Sequence, residues 1–277
     1  MGTCVVTKED IVIALQQLGL RNGDLCMVHS SMKSMGYVDG GAQAIIDAFE
    51  EVLGNEGTLV MPTVSQQDFK NSYRTWHMNK PSDAGFLTEY FRRLPNVYRS
   101  DNPTHSAAAR GKLAYELTCE HGAYGAHALC PYGEYSMSDS SPWMKLYRLG
   151  GKVVLLGVPM SKNTLKHTVE TRLAEYYLSL AKDAEKAAEL KAKLFCFEDF
   201  ETEQFGPWFY FKVDDMADIL RRKGILTEAD CGNAHIFCVN AKTSCDAYFE
   251  MVKAEPEKWL HEKRTLDWIR ECLNNTE

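Results

Sequence analysis

Apolar residues occur along the chain in two patterns, short continuous runs and longer stretches with helical spacing. The runs at 25–29, 58–61 and 152–158 are short and apolar, which predicts buried strands. Helical spacing covers 41–52, and a further long helix is predicted to start at Asn163-Thr164 and to continue to about residue 181. The chain is therefore predicted to alternate between strands and helices.

The first two strands and the helix between them predict a β-α-β unit, which favours a parallel sheet. Residues 63–85 and 122–141 lack clear periodicity and are predicted to be loops. No repeat, low-complexity linker or composition shift divides the sequence. We therefore expect residues 1–277 to form one domain.

Composition narrows the class of protein. The 277 residues are 45% hydrophobic and 25% charged with a formal net charge of -7, which is typical of a soluble globular protein. An acidic chain is a poor candidate for nucleic-acid binding and suits a cationic substrate. No apolar run approaches the roughly 20 residues that span a bilayer, and no secretory signal is visible. Nine cysteines without a CxxC pair indicate reduced thiols, so we expect a cytoplasmic protein without membrane partners.

The segment after the third predicted strand carries a distinctive set of polar residues. His167 falls near the first turn of the following helix, three residues after Thr164 and three before Glu170. Residues three apart are neighbours on a helix, so Glu170 can hold one imidazole nitrogen while the other accepts a proton. Such a base suits amine acylation, because a protonated amine has no lone pair for attack on a thioester. Thr164 is a candidate donor to the resulting oxyanion.

Other interpretations of this segment stay open from the residues alone. A helical histidine one turn before a glutamate also occurs as an ordinary surface pair. A metal site is less well supported, because the pattern lacks the second histidine of His-Glu-x-x-His and no ligand pair elsewhere completes it.

A second polar segment follows the first predicted strand and leads through Gly40-Gly41 into a helix; it reads His29-Ser30-Ser31-Met32-Lys33-Ser34. Hydroxyls, a lysine and a helix N-terminus are together typical of phosphate binding. The Walker A order is absent. The same composition is also typical of a plain connecting loop, in which the glycines serve only the turn.

Several dispersed stretches share their order and spacing with one known family. They are Met27–Met32 with Gly36, Gly40 and Gly41, then Gly57–Thr63, Asn102–Ser106, Ser141-Pro142 with Lys145-Leu146, Gly151–Val158 and Asn163–Glu170. In these stretches the sequence resembles the aminoglycoside 3-N-acetyltransferases, also called antibiotic N-acetyltransferases. The resemblance extends over roughly residues 8 to 255.

The resemblance implies a layered α/β/α sandwich with a mostly parallel central sheet and a helical or loop insertion on the substrate side. It implies direct acetyl transfer from acetyl-CoA to an amine, without a covalent enzyme intermediate or a metal. His167 is then the base, Glu170 orients it and Thr164 helps to stabilise the intermediate. The residues expected along the CoA path are His29, Ser30, Ser31, Lys33, Ser34, His105 and Ser106.

For the acceptor, the resemblance implies a 2-deoxystreptamine aminoglycoside acetylated at its 3-amino group. Family members that act on aminoglycosides often have an acidic residue soon after the Met-Pro-Thr segment, where this chain has Gln67 and Asp68. Asp68, Asp214 and Asp215 are the candidate substrate-binding carboxylates, although the last two also suit a helix start. A further acidic run, which fits either a polycation site or a solvated loop, comprises Glu198, Asp199, Glu201 and Glu203.

Two alternative functions stay open. The same fold and chemistry would serve an acetyltransferase for another small amine, which a panel of acceptors would distinguish. A non-catalytic CoA-binding protein would keep the loop at 29–41 and lack turnover, which the intact Thr164, His167 and Glu170 set disfavours.

Overall fold

A computed structural model of the chain describes residues 5–65, 75–122, 136–194 and 206–274. Asp68 and the acidic run 198–203 lie outside the described residues. The strands are β1 Val5–Val6, β2 Leu25–Ser30, β3 Tyr37–Val38, β4 Thr58–Pro62, β5 Tyr98–Arg99, β6 Ala107–Gly111, β7 Lys152–Leu156, β8 Leu226–Cys231 and β9 Ala234–Asn240. The α-helices are α1 Lys8–Gln17, α2 Gly41–Leu53, α3 Phe86–Phe91, α4 Ala114–Thr118, α5 Pro142–Arg148, α6 Lys166–Leu178, α7 Ala184–Ala192, α8 Ala217–Arg222, α9 Ala241–Ala254, α10 Pro256–Trp259 and α11 Lys263–Asn274.

The central sheet, as the described residues form it, has seven strands in the order β5-β6-β4-β2-β7-β9-β8. Within it only β4, β2 and β7 run parallel to one another, and the other four neighbouring pairs are antiparallel. The expectation of a mostly parallel sheet is therefore wrong, and the protein is an α/β protein with a mixed sheet. The predicted β-α-β unit forms the parallel centre. The outer strands β6 and β8 consist mostly of small or polar residues, so they contain no apolar run from which a strand could be predicted.

Side chains alternate between the two faces of the sheet, and each face has its own core. On β2, Leu25 and Met27 belong to one cluster, and Cys26 and Val28 belong to the other. The second cluster is completed by α1, α2 and α3, while the first contains the apolar faces of α5, α6, α9 and α11. Helices thus cover both faces, which makes the layered α/β/α arrangement because each sheet face must bury its apolar side chains.

The loops after β2 and β7 meet at one edge of the sheet. The two strands are parallel with Ser30 opposite Leu156, so both carboxyl ends lie together. Ser34 donates its hydroxyl to the Gly157 carbonyl at 2.8 Å. Gly157 has φ 66°, and a Cβ added there would lie 2.7 Å from the Ser34 Cβ. Glycine is required at this position because the left-handed backbone and the close approach both exclude a side chain.

The start of α6 differs from the predicted cap. Leu165 is the N-cap residue and makes no side-chain cap. The buried Asn163 instead accepts a hydrogen bond from the Leu165 N–H at 3.1 Å through Oδ1. This bond shapes the turn that brings the chain from β7 into the helix. Among the helices of the four described segments, none has the length and apolar character that crossing a membrane requires.

Candidate active site

The predicted pair of His167 and Glu170 is present on the first turns of α6. His167 Nδ1 lies 2.8 Å from Glu170 Oε2, with the imidazole 11% exposed and the carboxylate 1% exposed. A carboxylate only accepts hydrogen bonds, so the imidazole donates from Nδ1 and its neutral form carries the lone pair on Nε2. This tautomer is the one that a general base requires.

The carboxylate of Glu170 is buried and has a second hydrogen-bond donor. The Trp208 indole donates from Nε1 to Glu170 Oε2 at 2.9 Å, so one oxygen accepts both bonds. Glu170 Oε1 has no hydrogen-bond partner among the described residues. Because a buried carboxylate is stable only when it is paired or hydrogen-bonded, these two donors determine its position. Sequence reasoning missed Trp208, since it lies 38 positions from Glu170 and no spacing rule connects the two.

Two further histidines lie behind the His167 ring. The His105 ring meets the His167 ring edge to face at 5.6 Å, and the His29 ring stacks on Trp143 at 6.3 Å. The Trp143 indole donates to the His105 carbonyl at 2.9 Å. Burial lowers the pKa of His29 to about 3 and the pKa of His105 well below its ordinary value. Both rings are therefore neutral near pH 7 and add no positive charge beside the base.

A first cavity of about 370 Å³ opens at the carboxyl ends of β2 and β7. Its lining includes His29, Ser30, Lys162 and Thr164. His29 Nε2 is buried without a hydrogen-bond partner among the described residues. A buried polar nitrogen beside a cavity is suited to a ligand that supplies a polar partner, such as an amide.

A second cavity of about 460 Å³ lies on another side of the α6 start. Its lining includes Lys166, Glu170, Tyr210, Asp214 and Asp215. Asp214 Oδ1 accepts a hydrogen bond from the Ser161 N–H at 2.9 Å, which ties the 214–216 turn to the loop before α6. The structure thus brings both predicted aspartates to one cavity with the carboxylate that holds His167.

The residues expected along the CoA path separate into two groups. Ser30 lines the first cavity, and the exposed Lys33 lies on the same loop together with Ser31. Ser34 and the fully buried Ser106 instead donate to main-chain carbonyls, Ser34 to Gly157 and Ser106 to Thr63 at 2.8 Å. The second group therefore holds loops together, and a contact with CoA stays a prediction for every member of the set.

The imidazole of His167, hydrogen-bonded to a buried carboxylate, can transfer a proton, and its neighbours Glu170 and Thr164 each line one of the two cavities. Within residues 5–65, 75–122, 136–194 and 206–274, no three His, Cys, Asp or Glu side chains converge where they could hold a metal ion. The expectation of a reaction without a metal stays a prediction. The candidate catalytic group is the triad of Thr164, His167 and Glu170.

Comparison with known proteins identifies the family. Residues 27–253 match the family described as aminoglycoside 3-N-acetyltransferase. Aminoglycoside N(3)-acetyltransferase III from Salmonella sp is 34% identical over 181 residues, which are 59% of this chain and 60% of the relative, so the match spans less than two thirds of the length of that protein.

Two solved structures share the fold. AAC-IIIb bound to CoASH superposes with a TM-score of 0.67 at 20% identity, over 91% of this chain and 97% of the other. A variant of AAC(3)-IVa in complex with a gentamicin superposes with a TM-score of 0.68 at 23% identity, over 95% and 94% of the two chains. The resemblance seen in the sequence is thereby confirmed, and the chain belongs to the aminoglycoside 3-N-acetyltransferase family.

Proposed function

We propose that this protein transfers an acetyl group from acetyl-CoA to the 3-amino group of a 2-deoxystreptamine aminoglycoside. The observation that carries the proposal is the His167–Glu170 pair, held at 2.8 Å, with Glu170 in the lining of the second cavity and Thr164 in the lining of the first. The family match supports it, as do the structural neighbours solved with CoASH and with a gentamicin.

The first cavity is the proposed site for the thioester end of acetyl-CoA. Thr164 lines this cavity, and its proposed role is to donate its hydroxyl to the developing oxyanion. The neutral His29 offers its buried Nε2 to a polar group of the pantetheine arm. The hydroxyls of Ser30 and Ser31 with the charge of Lys33 follow towards the phosphates, which prefer positive charge and N–H or O–H donors.

The second cavity is the proposed site for the acceptor. Asp214 and Asp215 line it together with Glu170, so three carboxylates outnumber the two lysines of the lining, Lys166 and Lys212, and this suits an acceptor that carries several ammonium groups. The net charge of -7 for the whole chain has the same sign. Asp68 stays in the proposal as a third acidic contact, although it lies outside the described residues.

In the proposed reaction the acceptor reacts as a neutral amine, its ammonium proton having first gone to solvent, and His167 Nε2 removes one further proton from the nitrogen as it attacks the thioester carbonyl. Glu170 stabilises the imidazolium that forms, because its carboxylate accepts the hydrogen bond from Nδ1. Collapse of the tetrahedral intermediate forms the amide bond and breaks the carbon–sulfur bond. The thiolate of CoA leaves and takes up the proton, which restores neutral His167 for the next cycle.

An acceptor panel tests the proposal. Purified protein is incubated with acetyl-CoA and gentamicin, kanamycin or simple mono- and diamines, and release of free thiol is measured. We expect turnover with 2-deoxystreptamine compounds and acetylation of the 3-amino group by NMR of the product. If only other amines are acetylated, the proposed acceptor is wrong and the proposed chemistry is retained. CoA binding without turnover of any amine would make the protein a non-catalytic CoA binder.

A further inference from the structure

We propose that Trp208 is a positioning residue for the catalytic base and acts on His167 through Glu170. This inference rests on the proposed function. Trp208 is 1% exposed and lines neither of the two cavities, so we expect any effect on turnover to be indirect.

The shared oxygen of Glu170 is the first argument. Oε2 accepts from His167 Nδ1 at 2.8 Å and from Trp208 Nε1 at 2.9 Å, while Oε1 has no partner among the described residues. Torsions that end in a planar carboxylate are broad, so two hydrogen bonds to one oxygen leave its orientation to those donors. Without the indole N–H, only the hydrogen bond from the imidazole restrains rotation of the Glu170 carboxylate. The indole therefore fixes the orientation of the imidazole ring and with it the direction of Nε2.

The rigidity of the indole is the second argument. The Trp208 carbonyl accepts the hydroxyl of the fully buried Thr265 on α11 at 2.7 Å. The indole also meets the Phe209 ring edge to face at 6.2 Å. The donor is thus anchored to a helix other than α6. An indole that is held from outside α6 can fix the position of the base, whereas a mobile indole would move together with the base.

The charge of the carboxylate is the third argument. An N–H that donates to Oε2 stabilises the negative charge on the same oxygen that attracts the imidazole N–H. Without the indole N–H, the negative charge on Oε2 interacts more strongly with the imidazole N–H. We therefore expect the base to hold a proton more tightly in a variant without the indole, so that more of the activity is lost at a given acidic pH.

The matched pair Trp208→Phe and Trp259→Phe tests the proposal. Trp259 is also buried, and its Nε1 has no hydrogen-bond partner among the described residues, so its variant loses an indole N–H that positions nothing. We expect Trp208→Phe to lower kcat about tenfold or more. We expect its KM values to stay within about twofold and its acid limb of kcat/KM to move up by about half a pH unit. Trp259→Phe keeps the wild-type pH profile. Equal profiles for both variants would overturn the proposal.

A double-mutant cycle separates action through Glu170 from a general loss of packing. Glu170→Gln removes the charged acceptor, so Trp208→Phe in that background should cost no further kcat beyond about twofold. Additive losses would show that Trp208 acts by another route and would overturn the proposal.

Indole NMR decides the contact without any turnover. The protein has five tryptophans, so the Trp208 Nε1–H resonance is assigned by its loss in Trp208→Phe or, if that variant does not fold, by elimination with the other four Trp→Phe variants. We expect this resonance to move upfield in Glu170→Gln, because a charged acceptor becomes a neutral one. An unmoved resonance would overturn the proposal. Absence of acetylation with a moved resonance would instead reject the proposed function and retain the contact.

Discussion

Burial, and not proximity to a charge, sets the charge state of most histidines near the sheet edge. His29, His105 and His121 are all buried, and burial is the largest cause of their lowered pKa values. His167 differs because its ring donates to a carboxylate that lines the second cavity. Of these four histidines, His167 is the one that we propose as the base.

Replacement of that imidazole tests its role directly. We expect His167→Ala to lower kcat by at least about 10²-fold, the usual effect of losing a general base, with CoA binding retained. Steady-state kinetics and calorimetry measure the two effects. His235→Ala is the control, because His235 is an exposed residue of β9 whose ring pairs with Asp230 and Glu228. A kcat within twofold of wild type for His167→Ala would refute the base assignment.

His121 gives a prediction for stability against pH. Its ring lies 2.9 Å from Ser100 Oγ and 3.0 Å from the Ser136 carbonyl, and burial lowers its pKa from 6.5 to about 4. Below pH 6.5 the unfolded chain takes up a proton that the folded protein refuses until about pH 4. Stability therefore falls as the pH drops through this window, by up to about 1.4 kcal/mol per pH unit from this group.

Urea unfolding of His121→Gln between pH 5 and pH 6 measures the effect. We expect the unfolding free energy of the variant to depend less steeply on pH than that of the wild type, by up to about 1.4 kcal/mol per pH unit. His235→Gln is the control, because carboxylate partners raise the pKa of His235 and its contribution is lost only as the pH rises above 6.5. An unchanged slope in His121→Gln would contradict the prediction.

At the residue scale, the part of the site that lies on one helix was predictable. His167 and Glu170 lie three positions apart on α6, and helical geometry alone brings them together, while Thr164 lies just before the helix. Trp208 and the second cavity depend on contacts between distant segments, for which one sequence carries no spacing rule. The Ser34 hydroxyl, which we predicted to contact CoA, donates to the Gly157 carbonyl, and the sequence did not predict this bond because the two residues are distant in the chain.

At the scale of elements, the parallel centre of the sheet was predictable and its edges were not. β2, α2 and β4 follow from two apolar runs separated by an amphipathic helix. β6 has the sequence Ala-Ala-Ala-Arg-Gly, whose small residues have low strand propensity. Its place is determined by pairing with β4 and β5, which is a tertiary contact.

The junction between the loops after β2 and β7 is testable at this scale. Gly157→Ala and Gly224→Ala both place alanine at a positive φ, 66° and 68°. Only the first adds a clash, because nothing lies within 4 Å of a Cβ at Gly224. We expect about 1–2 kcal/mol of lost stability for Gly224→Ala. For Gly157→Ala we expect at least about 1 kcal/mol more, together with a several-fold higher KM for acetyl-CoA.

Thermal or urea unfolding and initial-rate kinetics measure these two changes. Equal destabilisation by the two substitutions would show that the approach of Ser34 to Gly157 contributes nothing beyond backbone conformation.

At the scale of the whole molecule, charge should govern how acceptors reach the site. The protein carries a net charge of -7, and the second cavity is lined by three carboxylates against two lysines. We expect kcat/KM for a multiply charged aminoglycoside to fall about three- to tenfold between low and high salt, because salt screens this attraction. A monoamine should show a much weaker dependence.

Asp215→Asn should reduce that salt dependence and raise the KM for the aminoglycoside, with kcat little changed. Asp267→Asn makes the same change of charge on α11, outside the second cavity, and serves as the control. If both variants retain the wild-type salt dependence and KM, Asp215 does not contact the acceptor.

The Ser34–Gly157 bond joins residues 123 positions apart, and β9, which borders β7, comes later still in the chain. During translation, β2 and its loop are synthesised long before β7, with which they pair. The face of β2 and β4 that packs against α5, α6, α9 and α11 therefore stays uncovered during synthesis, the condition in which chaperone binding and aggregation compete with folding. Expression yield should respond to growth temperature and to chaperone supply more strongly than the stability of the finished protein would suggest.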